Sequence, residues 1–327
     1  MKSYLLSTVL AASLGAIALS YISYYICRRK HLQKPPKNAK WEFVGTLEEI
    51  VIYPVTSAAP LLLNEVQCKI DGLYSEDLRD RCLVLIDENG KYAFAGVYPK
   101  MLSITTEVGY KNTLVVKAPE MESLTINLDS LKMKHPIVKH KQGCKSHLVE
   151  GEQEHHEWFS KVIMNKSQGL KLFLIINTEF EYNLMGEDKS EFIPVMVMNN
   201  KSVNDLNKRL TTDDRVHHLQ FRGNVLIDTL ENVKPYAEDN WSWIRIGEEK
   251  ENAAKNCILR YHAPCLRCIL PNVDIKTCKR NPNFEPLNTL KKYRLIHNKK
   301  EPTMGAYYKV YQEGSFKTKD PVYAIIT

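Results

Sequence analysis

Two hydrophobic patterns divide the chain. Residues 3–27 contain no charged side chain, whereas from residue 48 onward the apolar positions fall into short runs separated by polar and turn residues. In the second region, "EEIVIYPV" (48–55) is β-branched and stops at a proline. "RCLVLIDENGKYAFAG" (81–96) reads as a hairpin turning at Asn89-Gly90. "NTLVVKAP" (112–119) and "SLTINL" (123–128) continue the strand pattern. The Lys-rich stretch 129–150 reads as a solvated loop. A helix is predicted over 152–165, with Trp158, Phe159, Val162 and Ile163 on one face. Its start, "EHHEW" (154–158), lacks the zinc-ligand spacing of two His four apart and is predicted to be an exposed helix end.

The later part of the chain repeats the theme. Apolar runs stand at 169–177, 192–198, 221–228, 241–247, 256–270, 306–312 and 320–327. A helix is predicted over 203–210, with Ser202 and Asp205 as a capping box and Val203, Leu206 and Leu210 pointing inward. Many short strands with few helices predict an α+β chain, mainly β, that closes into a barrel instead of a parallel sheet.

A helix from Tyr4 to Cys27 would be roughly 36 Å long, enough to cross a ~30 Å hydrocarbon core. Tyr21, Tyr24 and Tyr25 sit near its end, where aromatic rings favour the interface. Arg28, Arg29 and Lys30 follow it, so residues 1–40 are predicted to be an N-terminal transmembrane signal anchor with a basic linker. By the positive-inside rule the remainder faces the cytosol, at the mitochondrial outer membrane or the endoplasmic reticulum. Lys2 and six Lys/Arg within residues 28–40 equal the net charge of +7, so residues 41–327 are neutral. A nucleic-acid-binding domain would carry its own basic excess, and that class is excluded. With eight cysteines spread over a cytosolic chain, disulfides are not expected.

Cys265 and Cys268 in "HAPCLRCIL" (262–270) form the single Cys-x-x-Cys. A structural zinc site needs four ligands, and the spacing of Cys257, His262 and Cys278 is irregular. A thioredoxin-type pair would open a helix, which Pro271 prevents. A disulfide, half a metal site, a redox pair and a single thiolate ligand all remain open at this point. Glu238-Asp239 reads as a turn, or as a proton donor near a metal.

The motifs "IYPVTS", "LRDRCLVLIDENGK", "FRGNVLID", "YAEDNWSWIRIG", "APCLRCIL", "EPLNTLKKYR" and "DPVYAIIT" stand in an order and spacing that resembles the MOSC-domain family, among which the amidoxime-reducing components of the mitochondrial outer membrane are similar over residue 46 to the C-terminus. The resemblance implies an N-terminal MOSC-associated β-rich module over 41–166 and a MOSC β-barrel domain over 167–327. It implies a molybdenum–molybdopterin cofactor, with Cys268 as catalytic residue and metal ligand and with Ser57, Arg81, Arg222, Asn224, Arg267 and Cys268 contacting the cofactor. Soft sulfur suits such a metal, and Arg267 is expected to keep the Cys268 sulfur anionic. The implied reaction is reduction of small N-hydroxylated compounds, with electrons from a b-type haem cytochrome and its NADH-dependent flavin reductase. The chain departs from the family where Thr56, Ala59, Gly96 and Val97 replace basic or polar residues, and where Phe192 and Ile193 replace hydroxyls. Lys132, Lys134 and Lys139 are candidates to replace that charge. A scaffold that has lost the cofactor and a thiol redox protein using Cys265 and Cys268 are the alternatives.

Overall fold

The computed structural model describes residues 34–36, 38, 40–141, 144–180, 195–211, 215–248 and 256–326. The predicted anchor at 3–27 lies outside them, as do Phe192 and Ile193. Among the described residues no helix is long and apolar enough to cross a membrane.

The strands run in chain order as β1 (Glu42–Ile52), β2 (Leu61–Leu63), β3 (Glu65–Lys69), β4 (Gly72–Ser75), β5 (Leu78–Arg79), β6 (Leu83–Asp87), β7 (Thr105–Val108), β8 (Thr113–Lys117), β9 (Leu124–Asn127), β10 (Ile137–Lys141), β11 (Cys144–Glu150), β12 (Leu170–Phe180), β13 (Val195–Asn199), β14 (Val225–Thr229), β15 (Trp241–Ile246), β16 (Cys257–Leu266), β17 (Thr303–Gln312), β18 (Gly314–Lys317) and β19 (Pro321–Ile326). They fall into two compact units. The smaller includes the described residues 138–141, 144–147 and 177–180; the larger holds Lys40–Ile137, Leu148–Ile176 and the described residues from 195 onward, and carries the barrel and the candidate site.

In the larger unit, β14, β13, β17, β16, β15, β19 and β1 are hydrogen-bonded in that order, and β1 pairs back onto β14 to close a seven-stranded barrel. Closure removes the sheet edges that would otherwise template aggregation. β13 and β14 are parallel; the other pairings are antiparallel. β1 comes from the N-terminal half, yet it bridges β19 and β14. Gly45 makes that bridge possible. A Cβ there would sit 2.1 Å from the Asp228 carbonyl oxygen, at a φ of +151°. Leu47, Ile227, Ile244, Leu259, Tyr308 and Ala324 are fully buried in one continuous core that also takes in Leu73, Leu83 and Leu114 from the N-terminal half. Around the barrel lie the antiparallel sheets β18-β3-β4-β5 and β7-β8-β9, and β6 pairs with β12 over Leu170–Leu174. The mainly β prediction holds, as does a barrel, but one of its seven strands, β1, comes from the N-terminal half.

Several local expectations need correction. The stretch 129–150 is not a loop. It holds the end of the helix Leu128–Lys132, capped by the Asn127 side chain, and then β10 and β11. Its lysines obscured the apolar positions, because strands near a sheet edge tolerate lysine. The hairpin at 81–96 turns at Gly90, but its return arm keeps only the bridge from Ile86 to Tyr92. The helix Asn200–Arg209 starts before Ser202 and is capped by Asn199, whose Oδ1 accepts from the Lys201 amide at 2.9 Å. Ser202 is fully buried and instead donates to Glu238 at 3.0 Å. Val203, Leu206 and Leu210 are buried as predicted.

"EHHEW" is exposed only at Glu154 and Glu157: His155, His156 and Trp158 are buried in the helix Gln153–Met164. His155 Nδ1 accepts from the Glu152 amide at 3.0 Å, and His156 Nδ1 accepts from the Leu172 amide at 3.1 Å. Burial holds both imidazoles below their ordinary pKa, which keeps them neutral acceptors. The polar spelling of the motif hid two side chains whose task is to satisfy buried backbone N–H groups.

Candidate active site

β1 runs into Tyr53, and the chain then turns through Val55–Ser57. A short 3-10 helix, His218–Phe221, ends at Arg222, and the next residues enter β14. Asn224 joins these segments. Its backbone carbonyl accepts from the Val51 amide at 2.8 Å, and its own amide donates to Met196 at 2.8 Å. Its side chain is almost fully buried; Nδ2 donates to Asp80 Oδ2 at 2.8 Å and to the Val51 carbonyl at 3.1 Å, while Oδ1 accepts from the Met196 amide at 3.1 Å.

Asp80 is the hub. Its Oδ1 accepts from the Tyr53 amide at 2.7 Å, and its Oδ2 is ion-paired with Arg81. Arg81 reaches on to the Arg222 carbonyl at 3.1 Å. Arg222 Nη1 donates to the Ala58 carbonyl at 2.8 Å. Both guanidinium groups lie over the Tyr53 ring, Arg222 at 3.9 Å and Arg81 at 5.0 Å from its centroid. Ser57, Arg81 and Arg222 all have positive φ, at 68°, 55° and 56°. Such strain in non-glycine residues persists only where surrounding contacts impose it, and it concentrates at ligand clamps.

The thiols face different surroundings. Cys265 is buried and Cys268 is exposed. Arg267 is expected from sequence to serve Cys268, but its Nη1 donates to Cys265 Sγ at 2.7 Å and its Nη2 to the Phe221 carbonyl. Burial opposes the Arg267 charge, yet Cys265, Tyr307 and Cys268 outweigh it and raise its pKa. Tyr307 is in turn pushed above the ordinary phenol range, by burial first and then by Cys265.

Electrostatics decide what the cluster lacks. Arg81, Arg222, Arg267 and Asp80 all act on the Tyr53 phenol, whose pKa burial pushes up to about 12. The Tyr53 ring thus feels three guanidinium groups, of which only Arg81 is ion-paired with Asp80. Burial pulls the Arg222 pKa down to about 10. Arg222 Nη2 and Arg267 Nε are buried and have no hydrogen-bond partner. Orphaned cationic donors in a cluster of guanidinium groups fit an anionic ligand. An exposed thiol within electrostatic reach of Arg267 adds a soft ligand. The residues present thus offer an anion site with a thiol at its margin, which fits the molybdenum–molybdopterin group that the resemblance implies.

The structure brings Arg81, Arg222, Asn224 and Arg267 into one network with Cys268 at its margin, and Ser57 is buried beside Ala58. It does not bring in Glu238 and Asp239. Glu238 is buried against Ser202, and Asp239 pairs with Arg294 in a separate cleft of about 250 Å³ that none of the six predicted cofactor residues lines. Lys132 and Lys134 are engaged with Asp129 and Glu152 instead. Among the described residues no group of three metal-ligating side chains forms a conventional site. Sequence reasoning missed Tyr53 and Asp80. The signal for Asp80 was its place between Arg79 and Arg81 in "RDRC", which reads equally well as surface charge.

The MOSC domain profile matches residues 183–323, and the MOSC N-terminal beta barrel domain profile matches residues 44–166. The chain is a MOSC-domain protein. Across 97% of its length it is 29% identical to Mitochondrial amidoxime reducing component 2 of Macaca fascicularis, covering 93% of that protein. It is 27% identical to the Homo sapiens component 2 (97% of this chain, 93% of that one) and 28% identical to Mitochondrial amidoxime-reducing component 1 of Mus musculus (97% and 91%). Within the family it is a divergent relative of these amidoxime-reducing components.

Proposed function

We propose that the chain is a membrane-anchored, molybdenum-cofactor-dependent oxidoreductase that reduces N-hydroxylated compounds such as amidoximes and hydroxylamines. The observation that carries the reading is the pair of buried, unpartnered donors, Arg222 Nη2 and Arg267 Nε, in a site with excess positive charge. In this reading those donors and Arg81 hold the anionic part of a molybdopterin. Asn224 and Asp80 fix the guanidinium groups, Ser57 lines the turn, and the Cys268 thiolate holds the metal. When bound, molybdenum supplies a two-electron couple for N–O reduction. The balance is one N–OH group, two electrons and two protons giving one N–H group and one water. The apolar wall of Phe221 and Met196 behind Arg267 keeps water from competing for the guanidinium.

Residues 1–40 serve as the anchor, 41–166 as the first module and 167–327 as the MOSC domain. The relatives' mitochondrial names support a mitochondrial address, which the resemblance and the basic flank of the anchor refine to the outer membrane with the folded part in the cytosol. There a b-type haem cytochrome, reduced by an NADH-dependent flavin enzyme, would deliver electrons.

The test is metal content. The full chain, made in a host that synthesises molybdopterin, is expected to hold near one molybdenum per chain and to reduce benzamidoxime with a chemical electron donor. Cys268→Ala should lose both while staying folded. Folded wild-type protein without molybdenum would instead favour a cofactor-free scaffold.

A further inference from the structure

We infer that Phe94–Val97 forms an apolar lip beside Cys268 that selects uncharged N-hydroxylated compounds by an aryl or alkyl body, an inference that rests on Cys268 being the reacting centre. Isolated exposed apolar side chains are ordinary. Here two of them flank Gly96, which packs on Ile269, the neighbour of the exposed Cys268. Phe94 is 45% exposed and Val97 58%, and Leu266, two residues before Cys268, is 39% exposed.

The lip is fixed to the segment that carries the thiol. The Val97 and Tyr98 amides donate to the Phe94 carbonyl at 2.9 and 3.0 Å, closing a turn that presents both side chains, while Ala95 is buried beneath. Gly96 sits between Phe94 and Ile269, the residue that follows Cys268. A Cβ on Gly96 would lie 2.7 Å from the Phe94 ring and 3.1 Å from Ile269 Cγ2. A side chain there would have to push the Phe94 ring or Ile269 aside. Arg280 Nη2 donates to the Gly96 carbonyl at 2.6 Å and ties the lip to the following loop.

The lip residues carry no charge of their own, and the charged group bonded to them is a cation. A positively charged substrate body is therefore disfavoured, and a neutral ring or alkyl chain is favoured, because it removes the surface of Phe94 and Val97 from water.

The test uses the full chain in two preparations. Without cofactor, the rates at which N-phenylmaleimide and N-ethylmaleimide label Cys268 are followed by mass spectrometry of its peptide. Phe94→Ala and Val97→Ser should each lower the phenyl-to-ethyl rate ratio by about three- to five-fold. The ethyl rate itself should stay unchanged, which shows that the thiol and its surroundings are intact. With cofactor, the same variants should raise KM for benzamidoxime by about five-fold with kcat unchanged, and leave KM for hydroxylamine alone, since it has no body to bind.

An unchanged labelling ratio overturns the lip. So does an equal KM change for both substrates. So does a defect that appears with a protein electron donor and vanishes with a chemical one, because the patch would then be a docking surface. Wild-type protein that holds no molybdenum, with the labelling ratio falling as expected, keeps the apolar lip and overturns the N-hydroxylated substrate class instead.

Discussion

Replacing Arg222 by methionine separates an anion-binding arginine from a structural one. Burial lowers its pKa from 12.5 to about 10. At about 1.4 kcal/mol per pKa unit, keeping the charge there opposes folding by about 3 kcal/mol. Arg222 retains partial solvent contact, and screening reduces the opposition to about 1.5 kcal/mol. The variant also gives up the bond to the Ala58 carbonyl at 2.8 Å, worth about 1 kcal/mol. Methionine keeps the packing on the Tyr53 ring. Arg222→Met should therefore fall within about 1 kcal/mol of wild type in urea denaturation at pH 7.5. A buried arginine whose charge was fully compensated by its protein partners would lose about 3–5 kcal/mol. Phosphate should divide the two proteins further. If it binds at ~1 mM, 100 mM phosphate stabilises wild type by about 2.7 kcal/mol. Loss of a charge-assisted bond of about 1.5–3 kcal/mol should weaken that binding by at least about ten-fold in the variant. Sodium chloride at equal ionic strength controls for screening. A variant destabilised by more than about 3 kcal/mol, with a wild type indifferent to phosphate, would refute the reasoning.

Other perturbations probe the surrounding network. Asp80→Asn removes the carboxylate that serves Tyr53, Asn224 and Arg81, so it should destabilise the protein by about 3–5 kcal/mol, and phosphate should recover part of the loss. Differential scanning calorimetry with and without phosphate checks both arms. Glu238 has its pKa pushed up to about 7, by burial first and then by Asp239. The folded state thus holds a proton that the unfolded state releases above about 4.5. Stability should fall as pH rises from about 4.5 to 7 and level off above it, by about 3 kcal/mol in all. Glu238→Gln should flatten that slope in urea titrations across pH 5–8; an unchanged slope would place the titration elsewhere. His156→Ala leaves the buried Leu172 amide without its acceptor at 3.1 Å, and should cost about 1–3 kcal/mol. Equilibrium unfolding would show it, and a change under about 0.5 kcal/mol would mean that the contact is dispensable.

The sequence by itself determined the strand-forming runs, the long helix before residue 165, the inward face of Val203, Leu206 and Leu210, and the neutrality of residues 41–327. These follow from local periodicity and charge, which act within a few residues. Motif order also placed the chain among MOSC-domain proteins and marked Arg81, Arg222, Asn224, Arg267 and Cys268. What each of those residues does was decided only by the tertiary structure. β1 leaves the N-terminal half to close the barrel, and this brings Tyr53 and Asp80 against Arg222 and Asn224 across more than a hundred residues of chain. No pattern in "RDRC" says that Asp80 is buried, or that two arginines of the set, Arg222 and Arg267, each keep an unpaired nitrogen. Arg267 reads as the neighbour of Cys268, yet the turn after β16 points its guanidinium at Cys265. Burial sets the energy of a charge, and burial depends on which distant strands pair, a relation that no window of neighbouring residues contains.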